Sequence, residues 1–176
     1  MALLRTFVVA ALLATLAVPA AAGAAQRAPK PTPVSAPSPL TAATDAAARY
    51  WSAVPCSGHV KVVARQPLAK GADPTTDAWV TFDSSLGTNN LAAPAGSYSN
   101  CTISFGSFRW PTASSMSEDW ELLCTTMVHE VGHLLGRAHD LTPGSVMAPV
   151  FTDRSSVPSV CRAAARARAA GRASAR

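Results

Sequence analysis

Three of the chain's four histidines, His129, His133 and His139, fall within eleven residues, with Glu130 beside the first and Gly136 between the second and third. Two histidines four apart project from one helical face about one turn apart. Such a pair can bring two imidazole nitrogens to a single zinc ion, at ~2.0–2.1 Å each. Glu130 need not bind the ion, and it can take the proton of a water at the open coordination position. A third ligand beyond a straight helix end would point away, and Gly136 permits the sharp turn that brings His139 back. Three neutral imidazoles leave a fourth position for water, which is the arrangement of a catalytic zinc site. Zinc lowers the pKa of such a water to roughly 7, polarises a peptide carbonyl and stabilises the oxyanion formed on attack. Glu130 then delivers the proton to the leaving amine. His59, the fourth histidine, reads as a strand or surface residue.

The elements that must hold these groups are legible around them. One long helix carries His129 and His133: Trp120, Leu123, Met127, Val131 and Leu134 recur every three or four residues and face a core. Ser115 with Glu118 predicts a capping box at its start, with Ser117 as an alternative N-cap. Glu118, Asp119 and Glu121 place negative charge in its first turn, and Gly136 is its natural stop. Upstream, residues 41–54 form an Ala-rich helix anchored by Tyr50 and Trp51 and stopped by Pro55. Residues 59–64, 78–82 and 101–105 are strands by alternation and β-branched content. Gly71, Asp73 and Pro74 mark a loop between the first two, and residues 84–100 are mostly loop. Residues 157–176 form an Ala-rich terminal helix. No internal repeat is present.

The chain has 176 residues, 48% hydrophobic and only 14% charged, which excludes a disordered polyelectrolyte. Its net charge of +5 is local. Arg162, Arg166, Arg168, Arg172 and Arg176 follow the last cysteine, leaving ten basic against ten acidic side chains in residues 1–161. A neutral body argues against a nucleic-acid-binding core, so no nucleic-acid partner is expected. Arg5, a dozen mostly apolar residues from Phe7 to Val18 and small residues from Ala20 to Ala25 describe a secretory signal peptide. The run is too short to span a membrane, so no stable insertion is expected once it is cleaved. Export puts Cys56, Cys101, Cys124 and Cys161 in an oxidising setting and favours two disulfides, with all three pairings open. Residues 26–40 hold five prolines and read as an extended linker or short pro-segment.

The run His129-Glu130-x-x-His133-x-x-Gly136-x-x-His139 resembles the zinc signature of the metzincin metallopeptidases. Pro143-Gly144-Ser145-Val146-Met147-Ala148-Pro149 resembles their methionine turn, closest to the matrixin form. The resemblance implies an α+β fold: a small twisted mixed sheet packed on two long helices, the N-terminal and the active-site helix. A short C-terminal subdomain would follow Gly136 and end in a helix. It also implies that Met147 forms an apolar floor under the histidines without binding metal. Pro149, Val150 and Phe151 would line the pocket beyond the scissile bond, and an extended peptide would lie along a sheet edge. Three departures stand out. Residues 26–55 contain no cysteine to ligate zinc in a latent form, Asp140 follows the third histidine, and Pro149 occupies the place of a tyrosine used by astacin-type relatives.

The resulting expectation divides the chain into a signal peptide (1–25), a Pro-rich linker or pro-segment (26–40), a metallopeptidase domain (41–161) and an Arg/Ala-rich helix or tail (162–176). It would be a secreted, monomeric, zinc-dependent endopeptidase with one catalytic ion, acting on protein or peptide substrates. The tail offers at most weak contact with an anionic surface. The competing reading is a secreted non-catalytic metal- or surface-binding protein with a vestigial zinc site.

Overall fold

A computed structural model describes residues 37–151, 154–163 and 165. The expected signal peptide, most of the Pro-rich stretch and nearly all of the arginine-rich tail lie outside the described residues.

Helix α1 spans Pro39–Trp51, starting two residues earlier and ending three earlier than the sequence suggested. Both shifts have local causes. The Ser38 hydroxyl accepts from the Thr41 N–H at 3.1 Å, and Pro39 sits at the first helical position, where its missing N–H costs nothing. Ser52 then enters the left-handed region (φ 49°) and stops the helix before Pro55 can. Ala43, Ala46 and Ala47 form its buried face. Side chains this small let α1 lie close to its neighbour.

Three strands follow: β1 (Lys61–Gln66), β2 (Ala78–Asp83) and β3 (Ser99–Gly106). Their order across the sheet is β1-β3-β2, with β3 central, parallel to β1 and antiparallel to β2. Cys101, Ile103 and Phe105 alternate along β3 and are fully or almost fully buried. The loop after β2 returns to its outer edge, where Asn89 accepts from the Phe82 N–H and donates its own N–H to the Phe82 carbonyl. One end of that edge is therefore covered.

The single helix expected from Ser115 or Ser117 is two helices, α2 (Ala113–Glu118) and α3 (Trp120–Leu134). The cap lies further upstream than expected. Thr112 and Ser115 satisfy each other's backbone N–H groups, so helical turns begin at Ala113 and reset at Asp119 (φ −91°, ψ 38°). Glu118 therefore ends α2 instead of capping the longer helix. Helix α3 lies against α1, β2 and β3 and is buried over twelve of its fifteen residues. A helix buried this completely must carry its polar groups for a reason other than solvation.

Two disulfides complete the frame, and they choose one of the three open pairings. Cys56–Cys101 ties the turn after α1 to β3, and Cys124–Cys161 ties α3 to the C-terminal segment. The Trp120 indole adds a 2.9 Å hydrogen bond to the Cys161 carbonyl. Beyond Gly136, residues 137–151 form no helix or strand, and residues 159–163 are helical.

Candidate metal centre

Helix α3 places His129 and His133 one turn apart at its buried C-terminal end. A Schellman motif closes the helix: the Gly136 N–H reaches the His133 carbonyl and the Arg137 N–H reaches the Gly132 carbonyl, both at 2.9 Å. The motif needs a left-handed residue at Gly136, which has φ 80°. The reversal brings His139 back to the helix. Its ring centroid lies 5.3 Å from that of His129 and 4.8 Å from that of His133. One nitrogen from each of the three rings lies within 4.8 Å of the others, the only such metal-binding group among the described residues.

Main-chain carbonyls orient two of the rings. His129 Nδ1 donates to the Val146 carbonyl at 2.8 Å, and His133 Nδ1 donates to the Arg137 carbonyl at 2.7 Å. A carbonyl only accepts, so each neutral ring carries its proton on Nδ1 and presents a bare Nε2. The two Nε2 atoms stand 3.0 Å apart. With no proton between them, their lone pairs face each other, an arrangement that a cation satisfies. Burial holds both rings neutral. It pushes the His129 pKa down to about 4, against the opposing pull of the Val146 hydrogen bond. Burial lowers that of His133 as well. Three imidazoles without thiolate or carboxylate make the donor set of an open zinc site, so the residues present fit the metal.

Glu130, adjacent to His129, is only 5% exposed. Burial pushes its carboxyl up to about 8. Met147 is also buried and packs against α3 at Gly132, which lies between the two helical histidines in sequence. Its carbonyl accepts from the Asp140 N–H at 3.0 Å, which ties the methionine turn to the third histidine's neighbour. Phe151 comes edge-on to His129, with ring centroids 5.7 Å apart. Pro149 and Val150 are exposed, Val150 at 69%. His59 is exposed and outside the group.

Several contributors escaped the sequence reading. The carbonyls of Val146 and Arg137 have no side-chain signature at all. Gly132 did leave one, since a glycine inside a helix costs about 1 kcal/mol against alanine and asks for a reason. The reason is close approach: a Cβ there would overlap the Met147 sulfur and come within 2.9 Å of Trp51 Cζ2. Trp51 itself, read as an anchor for α1, donates its indole N–H to the Val128 carbonyl of α3 at 2.8 Å.

Comparison with known families matches residues 71–160 to Peptidase M10, matrixin. No curated protein and no solved structure matches the chain. The matched span runs from the loop before β2 through α3 and the methionine turn, and it contains all three histidines, Glu130 and Met147. With half the chain matched and the three-histidine group formed, this chain belongs to the matrixin family and carries a zinc-metallopeptidase-like domain.

Proposed function

We propose that the protein is a secreted endopeptidase that uses one zinc ion, held by His129, His133 and His139, to hydrolyse peptide bonds. The observation that carries this reading is the grouping of three histidine nitrogens within 4.8 Å of one another, with the buried carboxyl-bearing residue Glu130 next in sequence to the first of those histidines. When bound, zinc supplies a Lewis acid that activates water and polarises a carbonyl. The remaining work falls to the chain. The carbonyls of Val146 and Arg137 fix the tautomers of His129 and His133, so no proton competes for their Nε2 positions. Glu130 takes the proton of the attacking water and returns it to the leaving amine. Burial raises its carboxyl in the metal-free protein, and a bound zinc ion would favour the carboxylate that accepts the water's proton. Met147 fills the space under the rings, and Gly132 makes room for it.

The substrate is an extended protein or peptide segment lying along a sheet edge. The edge of β2 beyond the Asn89 contact suits that role. Pro149, Val150 and Phe151 line the pocket after the scissile bond, and the position of Phe151 against His129 supports its share in that wall. The apolar character of this segment favours a hydrophobic side chain there. Export through residues 1–25 would place the chain outside the cell, and the two disulfides suit such a setting. No helix among the described residues is long and apolar enough to cross a membrane.

The test is hydrolysis of casein by the purified protein. Activity should vanish with a chelator and return on adding zinc. A protein that cleaves equally well in excess chelator, or that never cleaves when loaded with zinc, contradicts the reading.

A further inference from the structure

We propose that Trp51, acting with Arg137, is a positioning residue for the metal-binding histidines. The inference rests on the zinc reading above and assigns a task to Trp51, outside the zinc signature, and to Arg137, at a position the signature leaves unspecified. Trp51 is the last residue of α1, yet it reaches the turn of α3 that carries both helical ligands. Its indole N–H donates to the Val128 carbonyl, which belongs to the peptide leading into His129. Within the helix that carbonyl already pairs with the Gly132 N–H, so the indole is a second donor that pins this turn from outside. The ring then runs past Gly132, where it shares the space left by the absent side chain with Met147.

Arg137 closes the arrangement. Its guanidinium carbon lies 5.8 Å from the Trp51 ring centroid, within cation–π range. Its backbone N–H caps α3 at Gly132, and its backbone carbonyl holds His133 Nδ1. One indole therefore touches the carbonyl ahead of His129, the backbone between the two ligands, and the residue that orients His133. Removing the ring frees the Arg137 turn and with it the carbonyl that sets the angle of His133.

Outer contacts of this kind typically carry 10–100-fold in metal affinity. The experiment measures zinc affinity by competition with a chromophoric chelator, together with the visible spectrum of the cobalt-loaded protein, well below the unfolding temperature. Trp51→Leu should weaken zinc binding by about 10–100-fold and alter the cobalt bands. Trp51→Phe keeps the ring face but loses the N–H, and should fall between Trp51→Leu and the wild type. Arg137→Met should weaken binding, and Arg137→Lys should restore most of it. The Trp51→Leu/Arg137→Met double variant should lose less than the product of the single losses, because the two act as a unit. A merely structural tryptophan would lower the melting temperature and leave both readouts alone. If Trp51→Leu does not fold, Trp51→Phe and the Arg137 pair carry the same test. Folded variants that bind zinc within twofold of wild type, with an unchanged cobalt spectrum, overturn the proposal. If those variants are unchanged while the wild type binds zinc, this inference alone fails. A wild type that binds no zinc sinks the metallopeptidase reading as well.

Discussion

His129 and His133 present their Nε2 atoms to each other at 3.0 Å while the opposite nitrogen of each ring is held by a main-chain carbonyl. The protein thus spends two backbone acceptors to keep two lone pairs aimed at one point. His139, brought in by the Gly136 turn, adds the third nitrogen. Replacing it should leave the helix and its two histidines in place but remove one of the three donors to the ion. His139→Ala is expected to lower zinc affinity by more than the ~10–100-fold that loss of an outer contact costs. Equilibrium dialysis against buffered zinc measures this directly, and an unchanged affinity would remove His139 from the ligand set.

Gly132→Ala offers a test of the packing beneath the site. Alanine is the better helix former by about 1 kcal/mol, so on propensity alone the substitution should stabilise α3. The added methyl meets Met147 and Trp51, and such overpacking typically costs 1–3 kcal/mol, roughly. Steric cost should win, and thermal unfolding should show a lower midpoint. Combining it with Met147→Ala, which vacates the same space, should recover part of the loss. A stabilised Gly132→Ala protein would show that the close approach is unimportant.

Much of this frame was readable from residue patterns. The Ala-rich content of residues 41–54, the alternation over residues 101–105 and the apolar spacing from Trp120 to Leu134 each pointed to the correct element, because composition and apolar period follow the backbone's repeat. The break at Asp119 was not readable. Thr112, Ser114, Ser115 and Ser117 offer overlapping caps, and only the mutual Thr112–Ser115 pair decides among them. The site divides the same way. Ligand side chains announce themselves by type and spacing, whereas the Val146 and Arg137 carbonyls and the Trp51 contact depend on how separate elements meet. The cysteine pairing was hidden for the same reason.

The two disulfides close loops of similar length, with sequence separations of 45 and 37. On chain-entropy grounds each contributes ~4 kcal/mol. The Cys124–Cys161 bridge starts five residues before His129, so its loss should unlatch the C-terminal segment from α3. A Cys124→Ala/Cys161→Ala protein is expected to melt roughly 8–20 °C lower, given about 2–5 °C per kcal/mol for a domain of this size. A shift of under 3 °C by calorimetry would show that packing and the Trp120–Cys161 bond suffice without it.

The metal-free protein should show a pH dependence with two opposing limbs. His129 is held near 4 in the fold against 6.5 unfolded, so the unfolded chain binds the extra proton between those values. Stability from this residue therefore rises with pH from about 4 to 6.5, and His133 adds in the same direction. Glu130 runs the other way. Its folded value near 8 exceeds 4.5, the fold keeps the proton longer, and stability falls as pH rises from 4.5 to 8. Above 6.5 only the Glu130 limb remains. Melting temperatures in chelator should decline from pH 6.5 to 8, and Glu130→Gln should flatten that decline. A decline that persists in Glu130→Gln would assign it to another group.

In the proposed reaction Glu130 moves the proton while the histidines hold the metal. Turnover of casein by zinc-loaded Glu130→Ala, measured beside its zinc content, tests this most directly. About one zinc per chain is expected, with a rate lowered by at least about a hundredfold, the scale of a lost general base. A variant that binds zinc fully and cleaves within threefold of wild type would contradict it.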